Sequence, residues 1–402
     1  MSATATPVIT PPPHRSAAGP AGVSWARAYA TAREVAVVLP PVRRPVADAV
    51  GQVLAEPVVA AVAAPAFAAA AMDGYAVAGS GPWRIVGRVL AGGPAFASRL
   101  GGGDAVEIAT GTRMPDGADA VLPYERCDRR DTTVNGTRPA KTHIRCAGED
   151  ARPGDLLVPA GRQVTPAVAA LAAQVGVDEV EVRPRPAVDV IVTGDEVVLS
   201  GTPGPGQVRD AFAPLLAAVI ARAGGRLAGY HHVADDPGAL RKTFGSAADV
   251  VVVTGSSSAG AADHLRTVLA GLAATWHVDG VECRPGHPQG LAVLAGGRPV
   301  VSLPGNPYAG LVAALTLLEP VVATLAGHPH RPLPVLPVTG PAAVYPGGAR
   351  IVPVQTDGDG DGARIVPGAR SGSLRAAATA DALAVLDPAW TTGAPAPLLR
   401  LP

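Results

Sequence analysis

Residues 250–263 read VVVVTGSSSAGAAD and residues 300–307 read VVSLPGNP. In each, a β-branched run ends in small residues that open into a helical pattern. Such a turn points backbone N–H groups and a helix N-terminus at one spot, which suits phosphate or another anion. Residues 188–196 (VDVIVTGDE) end in the same way. Open parallel sheets bind ligands at the carboxyl ends of their strands, so three polar, glycine-bearing ends outline one pocket. Its expected binding residues are Thr254, Gly255, Ser256, Ser257, Ser258 and Gly260 from the first string, with Pro304, Gly305 and Asn306 from the second. Each string alone has an ordinary reading. Asn306 before Pro307 makes a sound N-cap with proline at the first helical position, and TGSSSAG reads equally as a loop. Three such ends in one sheet favour a site.

Asp263 sharpens the expectation. It falls in the first turn of a helix expected over 261–273, where a carboxylate suits the helix dipole. If the loop before it holds phosphate, that carboxylate repels the ligand unless a cation lies between them. Magnesium is held by one or two carboxylates together with substrate phosphates. Glu196, Asp235 and Asp263 are therefore the expected metal ligands.

The chain has 402 residues, enough for several domains, with 33 basic and 33 acidic side chains. That balance gives no support for binding nucleic acid or a membrane surface. Aromatic content is 3%, so the core is expected from Val, Leu and Ala. Cys127, Cys146 and Cys283 lack metal-ligand spacing and read as thiols of a reducing compartment. No signal-peptide pattern is evident, and the alanine-rich uncharged run 57–72 is too short and proline-broken to span a bilayer. The expectation is a soluble cytoplasmic protein.

The segmentation predicts an α/β plus β multidomain chain. Residues 1–22 read as a disordered tail. Helical spacing over 23–50 recurs near 165–175, which reads as a return to the first segment. Short β-runs between them make 53–146 a β-rich inserted domain. Strands and Ala/Leu helices alternate over 186–330, the rhythm of a parallel sheet with right-handed crossovers. The proline-broken stretch 328–337 then leads into β-rich 331–402.

The order and spacing of the motifs resemble the molybdopterin molybdenumtransferase (molybdenum insertase) family over residues 23–402. The residues that carry this are 72–77 (MDGYAV), 109–121 (ATGTRMPDGADAV), 148–150 (GED), 192–197 (VTGDEV), 206–210, 234–237 (ADDP), 253–263, 284–288 (RPGHP) and 302–307. The resemblance implies an elongated helical domain built from 23–52 and 147–185, the β-rich insertion, an α/β molybdopterin-binding domain, a C-terminal β-barrel and a homodimer whose site lies between subunits. It implies a substrate, adenylylated molybdopterin, that receives molybdate while AMP leaves with the help of Mg²⁺. By motif match, Asp150, Glu196, Asp263 and Thr110 are the catalytic candidates. Glu196, Asp235 and Asp263 would hold the metal, and Arg284 and Ser371 would join the pterin site. The match does not decide between Asp235 and Asp236; Asp235 is preferred, with Asp236 capping the next helix. Molybdopterin adenylyltransferase or a molybdoenzyme apoprotein would be the partner.

Departures from the family pattern cluster in these motifs. Residues 65–75 read PAFAAAAMDGY, so Ala68 replaces an acid and Ala70 a serine. Ala211–Phe212 replaces a Ser–Asn pair, and Ser256 stands for a glycine. Arg284 and His287 stand where lysines are common. Arginine still binds phosphate, bidentately, whereas neutral histidine removes a charge. A paralogue that binds molybdopterin as carrier, scaffold or regulator, without inserting metal, is the alternative reading.

Overall fold

The computed structural model describes residues 22–255 and 264–402. The expected tail, apart from Gly22, lies outside the described residues, as do Ser256, Ser257, Ser258, Gly260 and Asp263. The chain forms two compact units: Pro40–Pro184, and a larger one made of Met1–Leu39 with Arg185–Pro402.

The larger unit is built on a six-stranded sheet. Its spatial order is Arg226–Val233, Ala187–Thr193, Val250–Thr254, Pro299–Leu303, Gly290–Val293, Thr275–Asp279. The first four strands are parallel. The last two are joined antiparallel, which departs from the parallel sheet expected. The reason is the linker 294–298, far short of the dozen or so residues a parallel crossover needs.

Side chains along the central strands alternate between two apolar layers. Val188, Val190, Val250, Val252, Val301 and Leu303 face a cluster shared with helices Trp25–Val35, Phe212–Arg222 and Pro307–Leu325. Ile191, Val251, Val253 and Val300 face helices Pro237–Thr243 and Leu265–Gly271. Strands covered on both faces read as unbroken apolar runs, which is why 250–253 is four valines. Helix Pro307–Leu325 is long and apolar enough to cross a membrane, but 89% of its apolar window is buried inside the protein. It widens into a π-turn over Ala314–Leu318, just before Pro320, which has no N–H to give.

The helical pattern expected over 23–50 holds for Trp25–Val35 and then stops. Prolines at 40, 41 and 45 remove donors and push their neighbours toward extended backbone. Val42–Pro45 and Val53–Leu54 instead flank Glu179–Arg183 in a three-stranded sheet of the smaller unit. The two chain segments expected to meet as helices thus meet mainly as strands, with one helix at Pro166–Gln174. A six-stranded sheet fills the middle of this unit, with Gly74–Val77 between Asp104–Ile108 and Ala120–Pro123.

The C-terminal strands close on themselves. Ala349–Thr356 pairs with Ala363–Ile365, and Val335–Thr339 links that strand to Pro395–Arg400. Ala382–Leu386 then pairs with both Pro395–Arg400 and Ala349–Thr356, completing a barrel-like ring around its own core. Ala349–Thr356 also runs parallel to Val281–Arg284.

Candidate functional site

The carboxyl ends of Ala187–Thr193, Val250–Thr254 and Pro299–Leu303 meet at a cavity of about 600 Å³. Thr193, Glu196, Thr254, Gly255, Pro304, Gly305 and Asn306 line it, together with Asp210 and Phe212. The described ends of the three strings therefore line one cavity. Two glycines keep its floor open. Gly255 has φ +94°, and a Cβ there would lie 2.6 Å from the Thr193 carbonyl oxygen. A Cβ on Gly305 would sit 3.3 Å from the Gly255 Cα. The Thr193 hydroxyl donates to the Thr254 carbonyl at 2.9 Å and ties the first two strand ends together.

Among the described residues, the two helix N-termini at this cavity are already satisfied, which corrects part of the anion expectation. Asn306 occupies the N-cap position of Pro307–Ala313, but its side chain makes no capping bond. Instead Tyr308 and Ala309 donate their N–H groups to the Ser371 carbonyl at 3.0 and 3.2 Å, and Pro307 has no N–H. At helix Phe212–Arg222, the N–H groups of Phe212 and Ala213 go to the Asp210 carboxylate at 2.9 and 3.3 Å. Tyr230 donates its hydroxyl to the same carboxylate at 2.6 Å. Burial, and then that bond, push the Tyr230 hydroxyl well above its ordinary pKa. Asp210 thus caps the helix, and Ala211, at the N-cap position, supplies no side-chain bond. Phe212 packs its ring against Gly310, where a serine or asparagine pattern would have placed polar groups.

Arg209 also lines this cavity, and more positive charge is gathered in an adjoining cavity of about 550 Å³, which shares Pro288, Pro304 and Asn306 with the first. Arg284, Arg350, Arg370, His287 and Ser371 line it, and no carboxylate does among the described residues. Arg350 Nε is buried without an acceptor. His287 donates Nδ1–H to the Val281 carbonyl at 2.8 Å, which fixes the ring at the base of the RPGHP loop. Cys283 also lines this cavity; burial pushes its thiol up to about 12, so it stays protonated and inert. Arg284 and Ser371, expected to join the pterin site at the strand ends, line this second cavity and not the first. Arg350, Arg370 and Tyr345 were not legible as site residues, because their position depends on a strand pairing between residues about seventy apart in the chain.

The three carboxylates expected to share a cation are not brought together by the described residues. Glu196 is exposed and lines the first cavity. Asp235 is not among that cavity's lining residues; its N–H donates to Asp195 Oδ1 at 3.2 Å in the loop after the edge strand. Asp263 lies outside the described residues, and no group of three metal-ligating side chains occurs among them. Asp236 caps helix Pro237–Thr243, accepting from the Ala239 N–H at 2.6 Å.

In the smaller unit, Thr110 donates both its N–H (2.6 Å) and its hydroxyl (3.0 Å) to Asp73 Oδ1. Those bonds hold the Asp73 carboxyl below its usual range. Asp150 is paired with Arg145, which also binds Glu149 at 2.8 Å and lowers that carboxyl. Ala68 packs against an apolar cluster with Ala70 and Met114, and Ala70 is 1% exposed. Beside it, the Ala70 N–H bonds the Thr112 carbonyl, while the Thr112 hydroxyl is buried with no partner.

Comparison with known proteins agrees with this architecture. Residues 23–176 match the family model described as MoeA N-terminal region (domain I and II), and residues 189–324 match a probable molybdopterin binding domain. Molybdopterin molybdenumtransferase 2 of Mycobacterium tuberculosis is 36% identical over 239 residues, covering 56% of this chain and 58% of that protein. The transferase of Nostoc is 34% identical over 253 residues, covering 60% of this chain and 57% of its own length. The chain thus spans less than two thirds of the curated relatives it matches. A crystal structure of the molybdopterin biosynthesis MoeA protein from Pyrococcus horikoshii superposes with a TM-score of 0.77 at 27% identity, over 95% of this chain and 99% of that one. The matched segments follow the same order as the units and strand ends described above: a MoeA N-terminal region and then a probable molybdopterin binding domain, over which the chain is similar to the molybdopterin molybdenumtransferases.

Proposed function

We propose that this protein acts in molybdenum cofactor biosynthesis, inserting molybdate into adenylylated molybdopterin as AMP is released. The observation that carries this reading is the pair of joined cavities. One, at the strand ends, offers an open glycine floor beside Glu196; the other offers three arginines and Ser371 without a carboxylate. A phosphorylated pterin fits the first, and a compact oxyanion fits the second, where bidentate arginine contacts are strongest. Shared walls at Pro288, Pro304 and Asn306 would put the two ligands side by side, so that positioning supplies much of the acceleration.

Magnesium fits this donor set in a limited way. Glu196 is a carboxylate at the cavity with no hydrogen-bond or ion-pair partner among the described residues. One or two carboxylates with phosphate oxygens and water satisfy magnesium. Held there, the ion would neutralise charge on the phosphoanhydride. The chain's own contribution is to bind and orient: Asp210 braces its helix, and Arg284, Arg350 and Arg370 offset negative charge. A homodimer in the cytoplasm, handing its product to a molybdoenzyme apoprotein, completes the reading.

A second reading has its own support. Ala68 and Ala70 sit in apolar packing where the family pattern carries an acid and a serine, and Asp150 is in an exposed ion pair with Arg145. A carrier that binds the pterin without inserting metal is consistent with that. The deciding assay measures AMP release from adenylylated molybdopterin while molybdate and Mg²⁺ are varied. Release that needs both is expected; tight binding with no release replaces the first reading with the second.

A further inference from the structure

Strands Val281–Arg284 and Ala349–Thr356 are parallel neighbours, and their register sets Arg284 beside Arg350. Like charges in register across two strands are destabilising unless another group offsets them. Both side chains line the second cavity, and among the described residues neither is in an ion pair. Burial adds to the tension, since Arg350 Nε has no acceptor at all.

The offset at Arg284 comes from an aromatic ring. Its guanidinium carbon lies 5.4 Å from the centroid of Tyr345, which lines the same cavity. The face of an aromatic ring is the negative part of its quadrupole and attracts a cation. A carboxylate in that place would cancel the arginine's charge and repel an incoming anion; a neutral ring does neither. Tyr345 is itself held by its turn, where the Gly348 N–H donates to the Tyr345 carbonyl at 3.1 Å.

We propose that Tyr345 is a positioning residue for Arg284. Its ring seats the guanidinium beside Arg350, so that the cavity is set in advance for a compact, doubly charged oxyanion. This rests on the oxyanion reading of the second cavity given above, and Arg284, where lysine is common in the family, is what makes the planar stack available.

The test is titration calorimetry of the full chain with sodium molybdate and, separately, sodium sulfate. Tyr345→Phe keeps the ring and should leave affinity within about twofold, whereas Tyr345→Leu should weaken it by about tenfold. In an Arg284→Met background, Tyr345→Leu should have no further effect, because there is no cation left to seat. A merely structural role for Tyr345 would lower affinity equally in both backgrounds, and that result overturns the proposal. Thermal melts report whether each variant is folded; should Tyr345→Leu not fold, Tyr345→Met takes its place in the cycle. Wild-type affinity in the folded Leu or Met variant, with binding lost in Arg350→Ala, overturns the positioning role alone. Failure of the wild type to bind either anion removes the oxyanion cavity and the role of Tyr345 with it.

Discussion

The strand-end cavity of the larger unit and the motif loops of the 40–184 unit keep different things. At the cavity, the shape is made by backbone: two glycine turns, three strand ends, and helix starts closed by Asp210 and the Ser371 carbonyl. In the smaller unit, the candidate chemistry rests on single side chains. There Ala68 and Ala70 are packed, Asp150 is spent on Arg145, and Thr110 is spent on Asp73. A binding shape written in backbone geometry tolerates side-chain change; a reactive carboxylate does not survive one substitution. Binding is therefore expected to outlast turnover in this chain.

The most damaging test of that contrast is Gly305→Val. Its backbone is outside the left-handed region, so the fold should hold, but its branches would project beside Gly255 into the cavity. Pterin affinity should fall by roughly a hundredfold or more, as expected where a side chain fills space a ligand needs. Calorimetry showing wild-type affinity in a folded variant would mean the cavity is not the binding site. Next in size is Ala68→Asp. An acid placed among Ala70 and Met114 should cost about 1–3 kcal/mol of stability if it stays unpaired. Insertion of molybdenum should rise while pterin affinity stays within a few-fold, because a group acting in the transition state changes turnover more than binding. A folded variant with no gain shows that the missing acid is not what limits the chemistry.

Glu196→Gln sharpens the comparison from the other side. It keeps size and removes charge, and should lower AMP release by about tenfold while raising the magnesium needed. An unchanged magnesium dependence separates Glu196 from the cation. The smallest effect is expected for Thr110→Val, which deletes one of two bonds to an exposed carboxylate. Asp73 should move back up toward its ordinary range in an NMR titration. Because its folded-state value is depressed, the stability that contact adds is present above the ordinary carboxylate range and is lost as pH falls through the depressed value. Wild type and variant should then converge in strong acid; a gap that persists there would assign the difference to packing.

What was legible in the sequence follows the same division. Residues 188–196, 250–255 and 300–307 reveal their role locally, since apolar runs, glycines and small polar residues act through backbone geometry. Asp236 as a cap was equally readable. The antiparallel edge was hidden in a linker length, 294–298, rather than in composition. Asn306 read as a cap because of its type, while the actual cap is a carbonyl from Ser371, more than sixty residues away. Arg350, Arg370 and Tyr345 carry no motif, and only the pairing of Val281–Arg284 with Ala349–Thr356 makes neighbours of them and Arg284. Cavity walls contributed by non-local pairing leave no trace in spacing.

The packing of helix Trp25–Val35 has a consequence for the order of events during synthesis. Trp25 donates its indole N–H to the Thr316 hydroxyl at 3.1 Å, a contact spanning 291 positions of chain. Leu39 likewise donates to the Leu325 carbonyl at 3.0 Å. A ribosome therefore releases this helix long before its partners exist, and contacts of such separation are slow to form even then. Residues 40–184, whose pairings are internal to that stretch, are complete as a unit in the meantime. An apolar face carrying Trp25, Ala28 and Ala32 then waits, exposed, for the last third of the chain. Nascent-chain length, more than final stability, sets how long this protein is open to aggregation, and chains halted before residue 316 should be the form that chaperones hold.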